Sequence, residues 1–253
     1  MDKNFEIHYK VKEHFNFLLD HYNEEQILGV FLYGSQNYDL DTENSDVDTK
    51  AIYIPTFEEV VFNKPVSVKY DLPNGECCEV KDIREIIKSF KKQNINFIEI
   101  LFTDYFVLNP RYEEIWKNYF IEFREGISRY DIDRAIHSMT HQALHTLKQA
   151  MTSDDAAKKI SNVIRLIYFI NKYVCERPYK ECIIPTDDVR DFILNTKKGH
   201  YNSDEYFFGI KILKTILEGY AEMDYSYLID KDKQEEYDSL MKEAVLKLIK
   251  LNL

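Results

Sequence analysis

Phe31-Leu-Tyr-Gly-Ser-Gln-Asn-Tyr-Asp-Leu-Asp-Thr-Glu-Asn-Ser-Asp-Val-Asp-Thr-Lys50 is the most informative stretch of the chain. The apolar run Ile27 to Tyr33 predicts a buried strand that stops at Gly34-Ser35. A polar loop follows, and Asp46 and Asp48 then lead a second apolar run, Ala51 to Ile54. Side chains two apart on a strand share a face, so Asp46 and Asp48 are expected to present two carboxylates side by side. Like charges that close repel, and a divalent cation between them relieves the repulsion. A Gly-Ser turn open to phosphate, next to a carboxylate pair for magnesium, suits transfer from a nucleoside triphosphate. The bland alternative is a hairpin with a solvated acidic loop, since Asp, Asn and Ser favour turns. It accounts for the loop but not for two in-phase carboxylates opening a strand.

Composition sets the limits. A chain of 253 residues fits one large domain or two small ones, and its 45% hydrophobic and 30% charged content is ordinary for globular proteins. No apolar run approaches the roughly 20 residues that span a bilayer. The N-terminus, Met-Asp-Lys-Asn-Phe-Glu, lacks the basic and apolar regions of a signal peptide. A cytoplasmic protein with no membrane partner is the expectation. Cys77, Cys78, Cys175 and Cys182 have no zinc spacing and read as reduced thiols. The net charge of −11 argues against strong nonspecific binding to DNA or RNA.

Along the chain, Asp2 to His21 is expected as a helix with Ile7, Val11, Phe15, Leu18 and Leu19 on one face. Thr56 would cap a short helix to Val61. Val66–Leu72 and Glu76–Lys81 read as a hairpin about Pro73-Asn-Gly75. Asp82 opens a helix through Lys92, a shorter one covers Asn96–Phe102, Tyr105–Leu108 is a further apolar run, and Pro110 starts another helix. From Asp131 onward the pattern is helical, with segments Asp131–Met151, Asp154–Cys175, Thr186–Asn195, Asp204–Met223 and Lys231–Leu251. The fold class expected is α+β, a small mixed or antiparallel sheet with flanking helices followed by an all-helical C-terminal region. The domain reading is a catalytic domain over 1–125 and a helical domain over 126–253, with the nucleotide in the cleft between them.

Gly34-Ser35, ten intervening residues, then Asp46-Val-Asp48 resembles the signature of nucleotidyltransferases of the DNA polymerase beta superfamily. The nearest branch by eye is the predicted nucleotidyltransferases sometimes described as a polymerase-beta family of RNA repair. The resemblance covers the front third of the chain specifically and the last 80 residues hardly at all. It implies an NTP-dependent enzyme that attaches a nucleoside monophosphate to a hydroxyl and releases pyrophosphate. Gly34 and Ser35 would meet the phosphates, and Asp46 and Asp48 would hold two magnesium ions, with manganese as an alternative. The superfamily usually adds a third carboxylate from a neighbouring strand; here Glu79 is the choice, with Asp82 and Glu76 as competitors. Lys158, Asn162 and Arg165 share a helical face and would bind triphosphate, unless that face is simply solvated.

The acceptor stays open among an RNA end such as that of a tRNA, a protein hydroxyl and a small molecule. The rival reading is a non-catalytic nucleotide-binding or antitoxin-like regulatory module on the same fold. His137, His141 and His145 recur every four residues but lack the glutamate and fourth ligand of a zinc site. Glu99, inside an apolar segment, reads as a buried, paired carboxylate.

Overall fold

The structure is a computed structural model that describes residues 3–43, 45–199 and 203–252. Asp2, expected as the first helical residue, lies outside the described residues.

The order begins with helix α1 (Lys3–Leu19), strand β1 (Ile27–Tyr33), β2 (Asp48–Tyr53), α2 (Phe57–Val61), β3 (Ser67–Asp71) and β4 (Cys77–Asp82). Then come α3 (Ile83–Lys91), α4 (Ile95–Ile98), β5 (Phe106–Leu108), α5 (Glu113–Trp116) and α6 (Arg124–Ser128). The remainder is helical: α7 (Ile132–Ala150), α8 (Ala156–Val174), α9 (Tyr179–Ile183), α10 (Asp187–Lys197), α11 (Ser203–Glu222) and α12 (Lys231–Leu251). Local chemistry explains several boundaries. The Thr56 hydroxyl accepts the Glu59 N–H and the Glu59 carboxylate accepts the Thr56 N–H, a reciprocal cap that starts α2. The Asp82 carboxylate accepts the Arg84 N–H and starts α3. Pro110 does not open a helix as expected; it lies in a turn where the Tyr112 N–H donates to the Asn109 carbonyl, and α5 begins at Glu113.

The fold is α+β, with a five-stranded mixed sheet of order β3-β4-β2-β1-β5. β1 pairs antiparallel with both β2 and β5, β3 antiparallel with β4, and β2 parallel with β4. One face carries Val30, Leu32, Ala51, Tyr53, Cys78 and Val80, on which α1 lays Ile7, Val11, Phe15 and Leu18. Burying such side chains contributes about 1.5–3 kcal/mol each and fixes the register, because a one-residue slip would expose the whole set. On the opposite face Phe31 contacts Trp116, which stacks on Phe120 at 4.8 Å. On α3, Ile83, Ile86, Ile87 and Phe90 recur at helical spacing and are all buried.

The chain divides into two compact units, residues 1–37, 41–130 and 230–253 in the first and 38–40 and 131–229 in the second. The division after residue 130 falls close to the expected boundary. The helical region expected over 126–253 is not one body, however: α12 belongs with the sheet unit. There the Asn252 side-chain amide donates to the Ile54 carbonyl at 3.2 Å, and Lys91 pairs with Asp238 at 2.6 Å. The second unit builds its core between α7 and α8 from Met139, Ala143, Leu166, Phe169 and Tyr173. Among the described residues no helix is long and apolar enough to cross a membrane.

Candidate functional site

The antiparallel register places Tyr33 opposite Asp48, so the Gly-Ser turn leaving β1 and the carboxylate opening β2 meet at one end of the sheet. Gly34 has φ +92°, a left-handed conformation that favours glycine, and the space beside its Cα is open. Glycine is therefore required here by backbone conformation rather than by crowding. Ser35 begins a 3-10 turn that runs to Tyr38. Between turn and strand, the Gln36 side-chain amide donates to the carbonyls of Ser45 and Asp46, at 3.2 and 3.3 Å, and ties the loop to itself.

Asp48 is the first residue of β2, whereas Asp46 precedes the strand in the loop. The Asp46 carboxylate lies against Gly75, and the Asp48 Oδ1 accepts the Cys77 N–H at 3.1 Å. Asp46 is exposed and Asp48 half-buried. Carboxylate oxygens are hard donors of the kind that magnesium and manganese take. Among the described residues no group of three or more His, Cys, Asp or Glu side chains is arranged to hold a metal.

The third-carboxylate candidates are all engaged elsewhere. Glu79 lies opposite Lys50 in the parallel β2–β4 pair, and the Lys50 ammonium donates to its Oε2 at 2.5 Å. Lys81 approaches its other oxygen at 3.5 Å, in line with the expected shared face of Cys77, Glu79 and Lys81. Burial alone would raise the Glu79 carboxyl, but the bond and charge of Lys50, reinforced by Lys81, outweigh it and hold the pKa below the ordinary range. Asp82 has a side chain with no exposure, caps α3 and receives a bidentate Arg84 guanidinium, with Nη2 to Oδ2 at 2.6 Å. Glu76 bonds His14 Nε2 at 3.1 Å and pairs with Lys10 at 3.3 Å. It borders a cavity of about 480 Å³ that also touches Lys3, Lys10, Gln36, Asp41 and Ser45.

Lys50 is the residue that sequence reasoning passed over. It is only 3% exposed. Its ammonium lies 4.0 Å from the Tyr33 ring centroid and 4.1 Å from that of Phe97. Lys81 caps the same Phe97 ring at 4.0 Å. The signal was available, because Lys50 has the same strand parity as Asp48; only the cross-strand partner was missing. The Tyr33 hydroxyl meets the Cys77 thiol at 3.6 Å, and burial, then that contact, then the Asp48 and Glu79 charges push its pKa up. Burial likewise pushes the Cys77 thiol up, with a bond to Asp48 adding to it.

Lys158, Asn162 and Arg165 stand on α8, in the second unit, with Ile160, Val163, Ile167 and Ile170 buried behind them as expected. Lys158 and Asn162 are exposed. Arg165 is half-buried, with its guanidinium 4.4 Å from the Tyr38 ring centroid, a cation–π contact within that unit. On α7, His137 faces Asp133 at 3.4 Å and His145 bonds Gln149. Glu99 is buried.

Compared with known proteins, the chain matches no protein-family model and no curated sequence.

Proposed function

We propose that the chain is a metal-dependent nucleotidyltransferase with a polymerase-beta-like catalytic core, transferring a nucleoside monophosphate from an NTP to a hydroxyl acceptor. One observation carries the reading: a positive-φ Gly34 turn adjoins Asp48 at one end of a mixed sheet, with Asp46 two residues before it in the loop. Ser35 would donate a hydrogen bond to a phosphate oxygen. Asp46 and Asp48 would hold magnesium, which when bound supplies positive charge against the triphosphate. The acceptor oxygen bonds to the α phosphorus as the bond to pyrophosphate breaks, and the acceptor proton leaves to solvent or a nearby base. The acceptor belongs to the class of RNA ends, protein hydroxyls or small molecules.

The second reading is a non-catalytic nucleotide-binding module. It is favoured by the engagement of Glu76, Glu79 and Asp82 with cations of the chain itself. One assay separates the two. Purified protein is incubated with magnesium and each labelled NTP, and pyrophosphate and labelled acceptor are followed. Transfer predicts pyrophosphate release that falls at least a hundredfold in Asp46→Ala and Asp48→Ala. Release unchanged in both variants would overturn it, and tight NTP binding without turnover would favour the binder.

A further inference from the structure

A third carboxylate would complete the Asp46/Asp48 pair, yet the one chosen from the sequence, Glu79, is held by a buried cation. Lys50 and Glu79 face each other across the parallel β2–β4 pair, two residues beyond Asp48 and Cys77 respectively, on one face of the sheet. The Lys50 ammonium is buried beside the Tyr33 and Phe97 rings, with Glu79 Oε2 at 2.5 Å as its anion. Lys81 lies 3.5 Å from the other Glu79 oxygen and 4.0 Å from the Phe97 ring centroid. A lysine buried this far is costly unless paired, so the pair persists through binding at the sheet end.

We propose that Lys50 is a positioning residue that keeps Glu79 out of the metal set, so that free protein takes one divalent ion through Asp46 and Asp48 alone. The third carboxylate expected to share a metal has a lysine ammonium as its partner instead. This rests on the reading of Asp46 and Asp48 as the metal pair.

The test is manganese titration of the full chain without nucleotide, read from the electron paramagnetic resonance signal of free ion. Wild type should bind one ion. Asp48→Asn should bind at least tenfold more weakly. Lys50→Met, which removes the shorter of the two Glu79 ion pairs, should bind at least fivefold more tightly or gain a second ion, whereas Lys50→Arg should match wild type. The deciding variant is Lys50→Met/Glu79→Gln, which leaves net charge unchanged and replaces a buried ion pair by neutral groups, a change that folds tolerate. It should bind manganese within threefold of wild type. A tenfold loss in that double variant, with thermal unfolding intact, would show Glu79 to be a ligand and overturn the proposal. Failure of Asp48→Asn to weaken binding would instead overturn the underlying metal-pair reading, and the proposal with it.

Discussion

Replacing Arg84 by Met separates a helix-capping Asp82 from a metal-binding one. The Asp82 side chain is fully buried, and it accepts the Arg84 backbone N–H at 2.8 Å and the guanidinium through Nε at 2.9 and 3.1 Å. Methionine keeps most of the aliphatic volume and the backbone bond but strands the carboxylate. Removing one partner of a buried ion pair costs about 3–5 kcal/mol. At about 2–4 °C per kcal/mol for a unit of this size, the melting temperature should fall by about 6–20 °C. Asp82→Ser is the contrast: serine retains the cap, and Arg84 keeps the Glu59 and Lys64 carbonyls at 3.4 and 3.5 Å with part of its side chain in solvent. That variant should lose only about 1–2 kcal/mol.

Thermal and urea unfolding by circular dichroism measure both variants. A loss below 1 kcal/mol in Arg84→Met, or an equal loss in Asp82→Ser, would refute the reasoning.

Other outcomes follow from single features. In Glu79→Gln the depressed Glu79 carboxyl is removed, so the stability gap from wild type should be full above the unfolded carboxyl value of about 4.3 and close as pH falls through the folded value. Urea titrations from pH 3 to 7 check it, and a gap that widens below pH 4 would refute it. Gly34→Ala meets no atom within 4 Å but must adopt φ +92°, so it should cost about 1–2 kcal/mol in unfolding experiments. Of the four thiols, Cys175 alone is exposed, while burial pushes the Cys78 thiol up to about 12. A disulfide reagent should therefore titrate one thiol rapidly in native protein and four in denaturant; two or more fast thiols would contradict the burial of Cys77, Cys78 and Cys182.

Local order was legible from the residues alone wherever a short-range rule applied. β1 and α12 run over Ile27–Tyr33 and Lys231–Leu251, the limits expected from their apolar patterns, and the Pro73-Asn-Gly75 turn does join two antiparallel strands. The caps at Thr56 and Asp82 were also readable, because a cap is a contact between residues two or three apart. The misreadings share a cause. Pro110 satisfies the rule for a helix start, yet the Asn109 turn uses it first. The short α9 leaves too little pattern to detect, and Asp46 precedes the strand because β2 pairing with β1 begins only at Asp48.

The sequence by itself determined most of the longer elements, the α+β class and the candidate motif, since these depend on periodicity and spacing within a few residues. Tertiary structure alone decided that β2 runs parallel to β4, that α12 joins the sheet unit, and that Lys50 grips Glu79. Each of those is a pairing between residues far apart in the chain. Its energy comes from which buried charge or apolar face finds which partner, and no local pattern records that choice.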